Sequence, residues 1–432
     1  MKKIAVLVSQ YYPYSSPNGK CLGNVIVQLE EKYDITVIAG KYADDSPECE
    51  AYRRHRICRI DTPVAAERRR LENAVRRNHG GKKFSAKAAL FLHRGRRFLK
   101  TIFSKTSVNQ QLVREYGRVL EKINPDIVVP ACFPFEAILA ALEYKKRTSG
   151  SVRIIPYLLD QFAASANLHR LDVNRRLKWK RHLALERLMM AESYRILYSA
   201  CWQKHLGYWF PEYQNKCFLF DFPLICAPDE GRERMKFAEG SRHLIYTGML
   251  DRKVRNPRYV LSVLEELAHR GIQLQTHFFT LGNATGMVAG AAERWPAHIV
   301  FHGQVPTETA AAAVAGGDFL LSVGNRDIVQ IPSKIYEYIC TGKPIIHFYT
   351  APQDPVLEIL SHYPGACCLS QKSEEFQENC NRLCAFLDAP HCPVPFAEIE
   401  KYFLQGKPAY SAELICNENP QEYGKNQADF EK

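Results

Sequence analysis

The chain has 432 residues, 46% of them apolar and 24% charged, the balance of a globular protein long enough for two domains. No run of about 18 apolar residues occurs, which excludes a transmembrane helix. The apolar run Ile4–Val8 is too short for a signal peptide and predicts a first strand, so we expect a cytoplasmic protein. The net charge of +12 favours an anionic partner.

The first half of the chain alternates strand and helix patterns. Cys21, Val25 and Leu29 recur at four-residue spacing and predict a helix over residues 20–32. Strands separated by helices indicate βαβ units and a parallel sheet. The predicted strands are residues 3–9, 34–40, 57–61, 123–130 and 153–160.

The second half repeats this alternation. A stripe of Val260, Val263, Leu264 and Leu267 predicts a helix over residues 256–271, with Gly271 as its stop. The predicted strands here are residues 243–248, 274–282, 298–303, 318–324 and 344–349.

Residues 221–241 contain two prolines and many charges, and we place the linker between domains there. This gives one domain over 1–222, a second over 223–400, and a segment 401–432 that crosses back and ends in a polar tail. The predicted fold class is α/β, with two tandem Rossmann-like, doubly wound domains facing a cleft. Ligands in such sheets bind at the carboxyl ends of the strands.

The fourteen cysteines are mostly isolated in apolar runs, as is typical of free thiols that pack as small hydrophobes. Five of them form a cluster near the C-terminus without a CxxC pair. Cys380 and Cys384 share a helix face in that cluster, and we favour core packing over a metal site for them.

Residues 331–346 read IPSKIYEYICTGKPII. Ser333 predicts an N-cap, and Gly342 ends a short helix that starts beyond a strand, at the carboxyl edge of the sheet. The Glu337 carboxylate can there accept hydrogen bonds from two ribose hydroxyls, while helix N–H groups meet phosphate. The alternative is that Glu337 only pairs with Lys334 on a solvated face.

This segment resembles the donor-site segment of glycosyltransferase family 4, the retaining nucleotide-sugar transferases of the GT-B fold. Members carry a P-[ST]-K-x-x-E-[YF] helix followed by G-[KR]-P-[VI]-[IV]. Four further segments are similar to the family in the same order along the chain: residues 10–19, 185–206, 246–257 and 301–325.

The resemblance implies that residues 1–222 bind the acceptor and residues 223–400 bind the nucleotide sugar. Glu337 would bind the ribose hydroxyls. The other substrate-binding candidates are Ser333, Lys334, Gly19 and Gly248, with Gly19 allowing close backbone approach to the phosphates.

The catalytic candidates also follow from the resemblance. Arg255, with Lys253 as the alternative, would neutralise the departing diphosphate. Asp160, at the end of strand 153–160, would lie near the reacting sugar. A turn or cap role for Asp160 and a solvated loop position for Arg255 remain the structural alternatives.

Two departures from the family pattern bear on donor handling. Many members carry a second glutamate eight residues before the ribose-binding one, where this chain has Val329, and Asp327 could substitute only in a shifted loop. The arginine that usually follows the strand glycine is Met249, so the basic role falls to Lys253 or Arg255. Branches with the PSK form often lack the first glutamate, so we still expect activity.

Neither a metal nor a cofactor is expected, because no Asp-x-Asp motif follows a strand and GT-B enzymes usually use cationic side chains instead. The absence of a G-x-G-x-x-G motif after a strand argues against a nicotinamide enzyme. No reading module for nucleic acid is recognisable, so no nucleic-acid partner is expected.

Residues 84–105 combine aromatic and aliphatic side chains at helical spacing with six Lys or Arg, within a stretch from Glu67 to Lys105 that has thirteen Lys or Arg and two acids. This is typical of a helix on an anionic membrane face. The alternative is a domain helix with its apolar side in the core.

We therefore expect a retaining hexosyltransferase, cytoplasmic and peripheral at the inner membrane face. It would transfer a sugar from a nucleoside diphosphate sugar to the hydroxyl of a carbohydrate or lipid-linked acceptor, in surface polysaccharide or glycolipid assembly. The alternatives are a nucleotide-sugar 2-epimerase and a catalytically silent relative that binds a membrane or a partner.

Overall fold

The chain folds into two compact units. The computed structural model describes residues 1–13, 15–165, 171–229, 231, 233–326 and 332–418, so the loop positions Asp327 and Val329 lie outside the described residues. The first unit is residues 1–223 together with the segment from Pro408, and the second is residues 224–407. The chain thus leaves the first unit within the predicted linker and returns at Pro408.

The first unit is built on a six-stranded sheet in the order β3-β4-β2-β1-β5-β6. Every pair is parallel except the β3–β4 hairpin at one edge. Its strands are β1 (Lys3–Leu7), β2 (Asp34–Gly40), β3 (Cys49–Tyr52), β4 (His55–Ile60), β5 (Ile127–Pro130) and β6 (Arg153–Ile154).

The prediction of one strand over residues 153–160 is wrong. Arg153–Ile154 pairs with β5, whereas β7 (Tyr157–Leu158) starts a separate parallel sheet with β8 (Ile196–Tyr198) and β9 (Cys217–Leu219). Pro156 lies at the break, where its missing N–H cannot continue a ladder. Asp160 therefore follows a strand of the small sheet.

Helices cover the sheets of the first unit. In the first of them Cys21, Val25 and Leu29 are buried, so the predicted helical spacing is confirmed. The helices are α1 (Pro17–Leu29), α2 (Pro63–Arg77), α3 (Gly80–Phe103), α4 (Gln110–Ile123), α5 (Phe135–Arg147), α6 (Asp172–Glu192) and α7 (Gln203–Trp209).

The second unit has one six-stranded sheet in which all pairs are parallel, in the order β12-β11-β10-β13-β14-β15. Strand order reverses between its neighbours β10 and β13, the topological switch point at which such sheets bind ligands. The strands are β10 (Arg242–Met249), β11 (Leu274–Leu281), β12 (Ile299–Phe301), β13 (Phe319–Val323), β14 (Ile345–Tyr349) and β15 (Ala366–Ser370).

The predicted helix over 256–271 is present as α8 (Arg258–His269). Its four predicted core residues are buried, and Gly271 follows with a φ of +74°. The remaining helices are α9 (Thr285–Arg294), α10 (Thr307–Gly316), α11 (Lys334–Ile339), α12 (Pro355–Ser361), α13 (Phe376–Asp388), α14 (Phe396–Tyr402) and, in the returning segment, α15 (Pro408–Cys416), which packs on α1.

Three cysteines of the cluster near the C-terminus contribute to the apolar core of the second unit. Cys367 and Cys380 are buried, and Cys384 packs against the same cluster. Within the described ranges no group of three or more His, Cys, Asp or Glu side chains could hold a metal ion.

Three histidines form a hydrogen-bonded row on the second sheet. His243 Nε2 lies 2.8 Å from the Ala238 carbonyl oxygen and must donate to it, so His243 Nδ1 accepts from His277 Nε2 at 3.1 Å. His277 Nδ1 in turn accepts from His302 Nε2 at 3.0 Å. A proton added to His277 Nδ1 would place its N–H against the N–H of His302 Nε2. Burial and the neighbouring histidines lower its pKa from 6.5 to about 4.

This row predicts an acid-sensitive second unit. The folded pKa of His277 lies below its unfolded value, so its contribution to stability is present above pH 6.5 and is lost as the pH falls toward 4. Between pH 6.5 and pH 4.5 the wild type should lose on the order of 2 kcal/mol of its free energy of unfolding through His277. We expect this loss to be absent in His277→Phe, as measured by urea unfolding. The exposed His362→Gln should keep the wild-type loss, and an unchanged acid profile in His277→Phe would contradict this role.

Candidate active site

The loop that leaves β10 is shaped by a glycine and an aspartate. Gly248 has a φ of +148°, and a Cβ there would lie 3.4 Å from the Tyr246 hydroxyl. Beyond it, Asp251 Oδ1 accepts the N–H groups of Val254 and Lys253 at 2.9 and 2.7 Å, and these bonds lower the pKa of Asp251. The chain therefore turns back tightly at the carboxyl edge of the second sheet.

Arg255 is fixed at this edge, whereas Lys253 is not. Arg255 Nε donates to Asn325 Oδ1 at 3.0 Å. In addition, Arg326 N donates to Val254 O at 2.8 Å. These bonds tie the loop after β10 to the loop after β13, across the switch point. Lys253 is exposed at the tip of the turn, so the geometry favours Arg255 for the predicted cationic role.

Glu337 lies in α11, with its side chain 29% exposed and Oε2 2.9 Å from Lys334 Nζ. The ion pair that the sequence offered as an alternative is thus formed. The next residue, Tyr338, is buried, and its hydroxyl accepts from Thr247 N in β10 at 2.9 Å. Helix α11 is therefore attached to the end of β10, near Gly248.

The pKa of Tyr338 shows that opposite charges act on this edge. Burial is the main cause that raises this pKa to about 12; the Glu337 carboxylate contributes to the rise, whereas the hydrogen bonds with Thr247 and the Arg255 guanidinium oppose it. Glu337 and Arg255 therefore both lie within electrostatic reach of one phenol. A ligand that carries phosphate and sugar hydroxyls could use a cation and a carboxylate placed in this way.

The prediction that Ser333 caps α11 is wrong. Its backbone is already helical, with φ −56° and ψ −21°, and its side chain makes no cap hydrogen bond. A capping residue needs an extended backbone for its oxygen to reach back to the helix. Gly342 does follow the helix with a positive φ of +70°.

Lys343, the lysine of the GKP motif, has a structural role. Its Nζ donates to the carbonyl oxygens of Val314 and Ala315 at 3.0 and 2.6 Å and to that of Gly317. These carbonyls lie at the end of α10, where helix carbonyls lack partners. Burial lowers the pKa of Lys343 to about 8.

A buried pair supports the loop after β13. His347 Nε2 lies 3.4 Å from Asp354 Oδ2, and His347 Nδ1 lies 3.0 Å from Ser322 Oγ. Asp354 packs so closely on Gly324 that a side chain at Gly324 would collide with its carboxylate. Sequence reasoning missed Asn325, Tyr338 and this pair. Only Asn325, directly after a predicted strand, carried a positional signal.

Gly19 occupies the start of α1 in the first unit. Its N–H donates to Ser16 Oγ at 3.1 Å, and a Cβ there would collide with the Gln10 carbonyl oxygen. The close approach predicted for phosphates is thus made, in the structure itself, by the loop that precedes the helix. Glycine is required there on steric grounds alone.

Asp160 lies two residues beyond β7 and is half-buried. Burial raises the pKa of its carboxyl group. Its carbonyl oxygen accepts a hydrogen bond from Trp202 Nε1 at 2.9 Å, which fixes the backbone at Asp160. The structure places Asp160 in the first unit and Arg255, Lys253, Glu337, Ser333, Lys334 and Gly248 in the second.

Comparison with solved structures identifies the fold. Sucrose-phosphate synthase from Thermosynechococcus elongatus matches with a TM-score of 0.57 and 10% identity over 99% of this chain and 100% of that chain. Trehalose-6-phosphate synthase OtsA matches with a TM-score of 0.58 and 8% identity over 98% of each chain. The chain has the GT-B fold. The resemblance and the α/β fold class predicted from the sequence are confirmed at this level.

A third GT-B structure, the lipopolysaccharide outer core galactosyltransferase WaaB in its apo form, matches with a TM-score of 0.57 and 12% identity over 98% of this chain and 99% of that chain. No family model and no curated protein sequence matches the chain. At such identities the likeness shows the GT-B fold alone, and the site residues have to be argued from their own geometry.

The steric role of Gly19 predicts a clear difference between two glycines. Gly19→Ala should lower the free energy of unfolding by about 2 kcal/mol, because a backbone oxygen must move to admit the methyl group. Gly290→Ala, inside α9 with only an ordinary contact to Arg294, should raise it by about 0.5–1 kcal/mol. Chemical denaturation measures the free energy of unfolding of both variants. If the two substitutions changed it equally, the loop at Gln10 would be able to move aside without cost, which would contradict the steric role of Gly19.

Proposed function

We propose that the chain is a glycosyltransferase that moves a sugar from a nucleoside diphosphate sugar to an acceptor hydroxyl. One observation carries the proposal: Arg255 is fixed by Asn325 across the switch point of the second sheet, where α/β sheets bind nucleotides. The Glu337 carboxylate, on a helix tied to the same strand end, supplies the acceptor for ribose hydroxyls.

Each residue has a role in this proposal. Glu337 accepts hydrogen bonds from the two ribose hydroxyls, and Lys334, its ion-pair partner, orients it. Arg255 neutralises the charge that develops on the leaving diphosphate, with exposed Lys253 as a secondary cation. Gly248 admits the phosphates to the strand end, and Asp160 of the first unit acts at the reacting sugar.

The finer assignments are part of the same proposal. We assign a hexose donor, retention at the anomeric carbon, no metal, and an acceptor that is a carbohydrate or a lipid-linked oligosaccharide. One similar solved structure supports the donor class, since this trehalose-6-phosphate protein from E. coli, 8% identical to the chain, is bound with UDP-2-fluoro glucose. Fixed cations in place of a metal suit such a diphosphate.

A second candidate has support from one comparison. UDP-GlcNAc 2-epimerase from Methanocaldococcus jannaschii matches with a TM-score of 0.50 and 11% identity over 95% of this chain and 98% of that chain. An epimerase would interconvert sugars without an acceptor, whereas a transferase releases nucleoside diphosphate faster when an acceptor is added. A catalytically silent relative would do neither.

The nucleotide site is tested by Glu337→Ala. Loss of charged hydrogen bonds to the ribose should weaken binding of the preferred nucleoside diphosphate about tenfold or more, measured by calorimetric titration after a thermal-shift screen of UDP, GDP, ADP and dTDP. Glu358→Ala, a carboxylate in the neighbouring α12, is the matched control. An unchanged affinity in Glu337→Ala would remove the ribose assignment.

Helix α3 presents an apolar face to solvent. Phe84, Phe91 and Phe103 are 77%, 76% and 80% exposed, and Leu92 and Leu99 are also exposed. At about 100° per residue these five side chains lie within an arc of about 120°. These five side chains therefore do not face the core, which was the alternative that the sequence left open. The core side is formed by Ala86, Leu90 and His93, on the opposite face.

Basic residues flank this face on both sides. On the same helical projection Lys87 and Arg94 border one edge of the arc, and Arg96 and Lys100 border the other. Apolar side chains between rows of cations are suited to an anionic lipid surface. In the described ranges no helix is long and apolar enough to span a bilayer. We therefore propose peripheral binding through α3 at the inner membrane face.

Vesicle co-sedimentation tests this surface. Wild-type protein should bind vesicles that contain phosphatidylglycerol more tightly than pure phosphatidylcholine vesicles, and salt should weaken the binding. The double variant Phe84→Ser/Phe91→Ser should lose about tenfold or more in partition. Tyr208→Ser, an exposed aromatic in α7 with 76% exposure, should bind like wild type. Equal binding by the double variant would contradict the α3 assignment.

A further inference from the structure

Helix α6 carries four buried polar side chains on one face. Asn174, Lys178, His182 and Glu186 recur at four-residue spacing, and none is more than 4% exposed. Positions four apart lie above one another on a helix, so these side chains form a row. Buried polar and charged groups are costly unless they are bonded, and the bonds of this row show what it holds.

Two members of the row hold the end of helix α3. Lys178 Nζ donates to Ser107 Oγ at 2.8 Å and to the Thr101 carbonyl oxygen. His182 Nε2 donates to the Thr106 carbonyl oxygen at 2.7 Å. This part of the row acts on residues 101–107.

Glu186 holds a different segment. Its Oε1 accepts Ala163 N at 2.8 Å, and its Oε2 lies 2.7 Å from His205 Nε2. The Glu186 side chain is fully buried, and that of His205 is 6% exposed. A carboxylate bonded on both oxygens, inside a site closed to water, has a fixed orientation and makes a strong bond to the amide.

The segment held by Glu186 is the one that carries Asp160. Between Asp160 and Ala163, the ring of Phe162 stacks on Phe135 at 3.9 Å and packs against the His182 ring at 4.6 Å. On the other side, Trp202 Nε1 binds the Asp160 carbonyl oxygen. The backbone of residues 160–163 is therefore held at both ends and in the middle, and Glu186 supplies a charged support to it.

We propose that Glu186 is a positioning residue for Asp160: by binding Ala163 N, it fixes the segment that sets where the Asp160 carboxylate stands. This inference rests on the proposed glycosyltransferase function, in which Asp160 acts at the sugar. A displacement on the order of 1 Å in a reacting group can cost a factor of about 100 in rate, so a bond three residues away is sufficient to matter.

The variants are Glu186→Ala and Glu186→Gln, with Lys178→Met as the matched control. Glutamine keeps an oxygen for Ala163 N but not the charge, so it should rescue much of the activity lost in alanine. Lys178→Met is equally buried on the same face but releases only residues 101–107. It should lower thermal stability and leave kcat unchanged.

Three readouts are measured on the nucleoside diphosphate glucose that the wild type turns over. In Glu186→Ala, kcat should fall about 10- to 100-fold, while the donor KM stays within about twofold because the nucleotide binds in the second unit. The acid limb of the pH–rate profile should shift to lower pH, because a loosened segment admits water and relieves the burial that raises the pKa of Asp160. A purely structural role would move the melting temperature but not this limb.

Amide hydrogen exchange provides a readout that needs no substrate. The Ala163 amide should exchange faster in Glu186→Ala than in wild type or Lys178→Met. An active wild type whose Glu186 variants keep kcat and the acid limb would overturn the positioning role and leave the proposed function intact. A wild type that turns over no donor would overturn the proposed function, and the exchange of Ala163 would then decide whether Glu186 holds the segment. If Glu186→Ala does not fold, the same comparisons are made with Glu186→Met, which fills the space but cannot accept the Ala163 N–H.

Discussion

The bond between Arg255 and Asn325 is the constraint on which the candidate donor site depends. It joins the loops that follow the adjacent strands β10 and β13, from which the chain continues toward opposite edges of the sheet. It thereby holds a cation where both strands end. An arginine on a free loop would lose side-chain entropy each time it met a phosphate. Here much of that ordering has already occurred on folding, because the guanidinium is held by Asn325.

The support for this bond extends inward through the second sheet. Asp354, which is paired with His347 in the core, packs closely against Gly324, the residue before Asn325. On the other side, Tyr338 fastens α11 to the amide of Thr247. Buried polar groups thus fix the positions of Arg255 and of the helix that carries Glu337. Such support is expected for side chains that must be held in a defined geometry to bind a ligand.

Much of the architecture follows from local sequence patterns. Apolar runs predicted the strands of the second sheet up to β14, because parallel strands are buried on both faces. The spacing of apolar residues predicted the helix α8, because one face of it is buried. The pattern failed where a short strand changed sheets at Pro156, since periodicity does not report which partner a strand chooses. It also missed β15, a five-residue strand in which cysteines occupy central positions. The site could be predicted only in part. Motif order predicted Glu337 and Arg255, with Lys253 as the alternative cation. The bond to Asn325 favours Arg255, and such a contact between distant segments leaves little trace in one sequence.

The polar row of α6 has a mechanical consequence. Lys178 and His182 grip the end of α3, and Glu186 grips the segment of Asp160, over a span of two helical turns or about 12 Å. Because both sets of bonds are made by one continuous helix, no flexible connection lies between them. The exposed apolar face of α3 and the end of β7 that precedes Asp160 are thereby supported by the same helix.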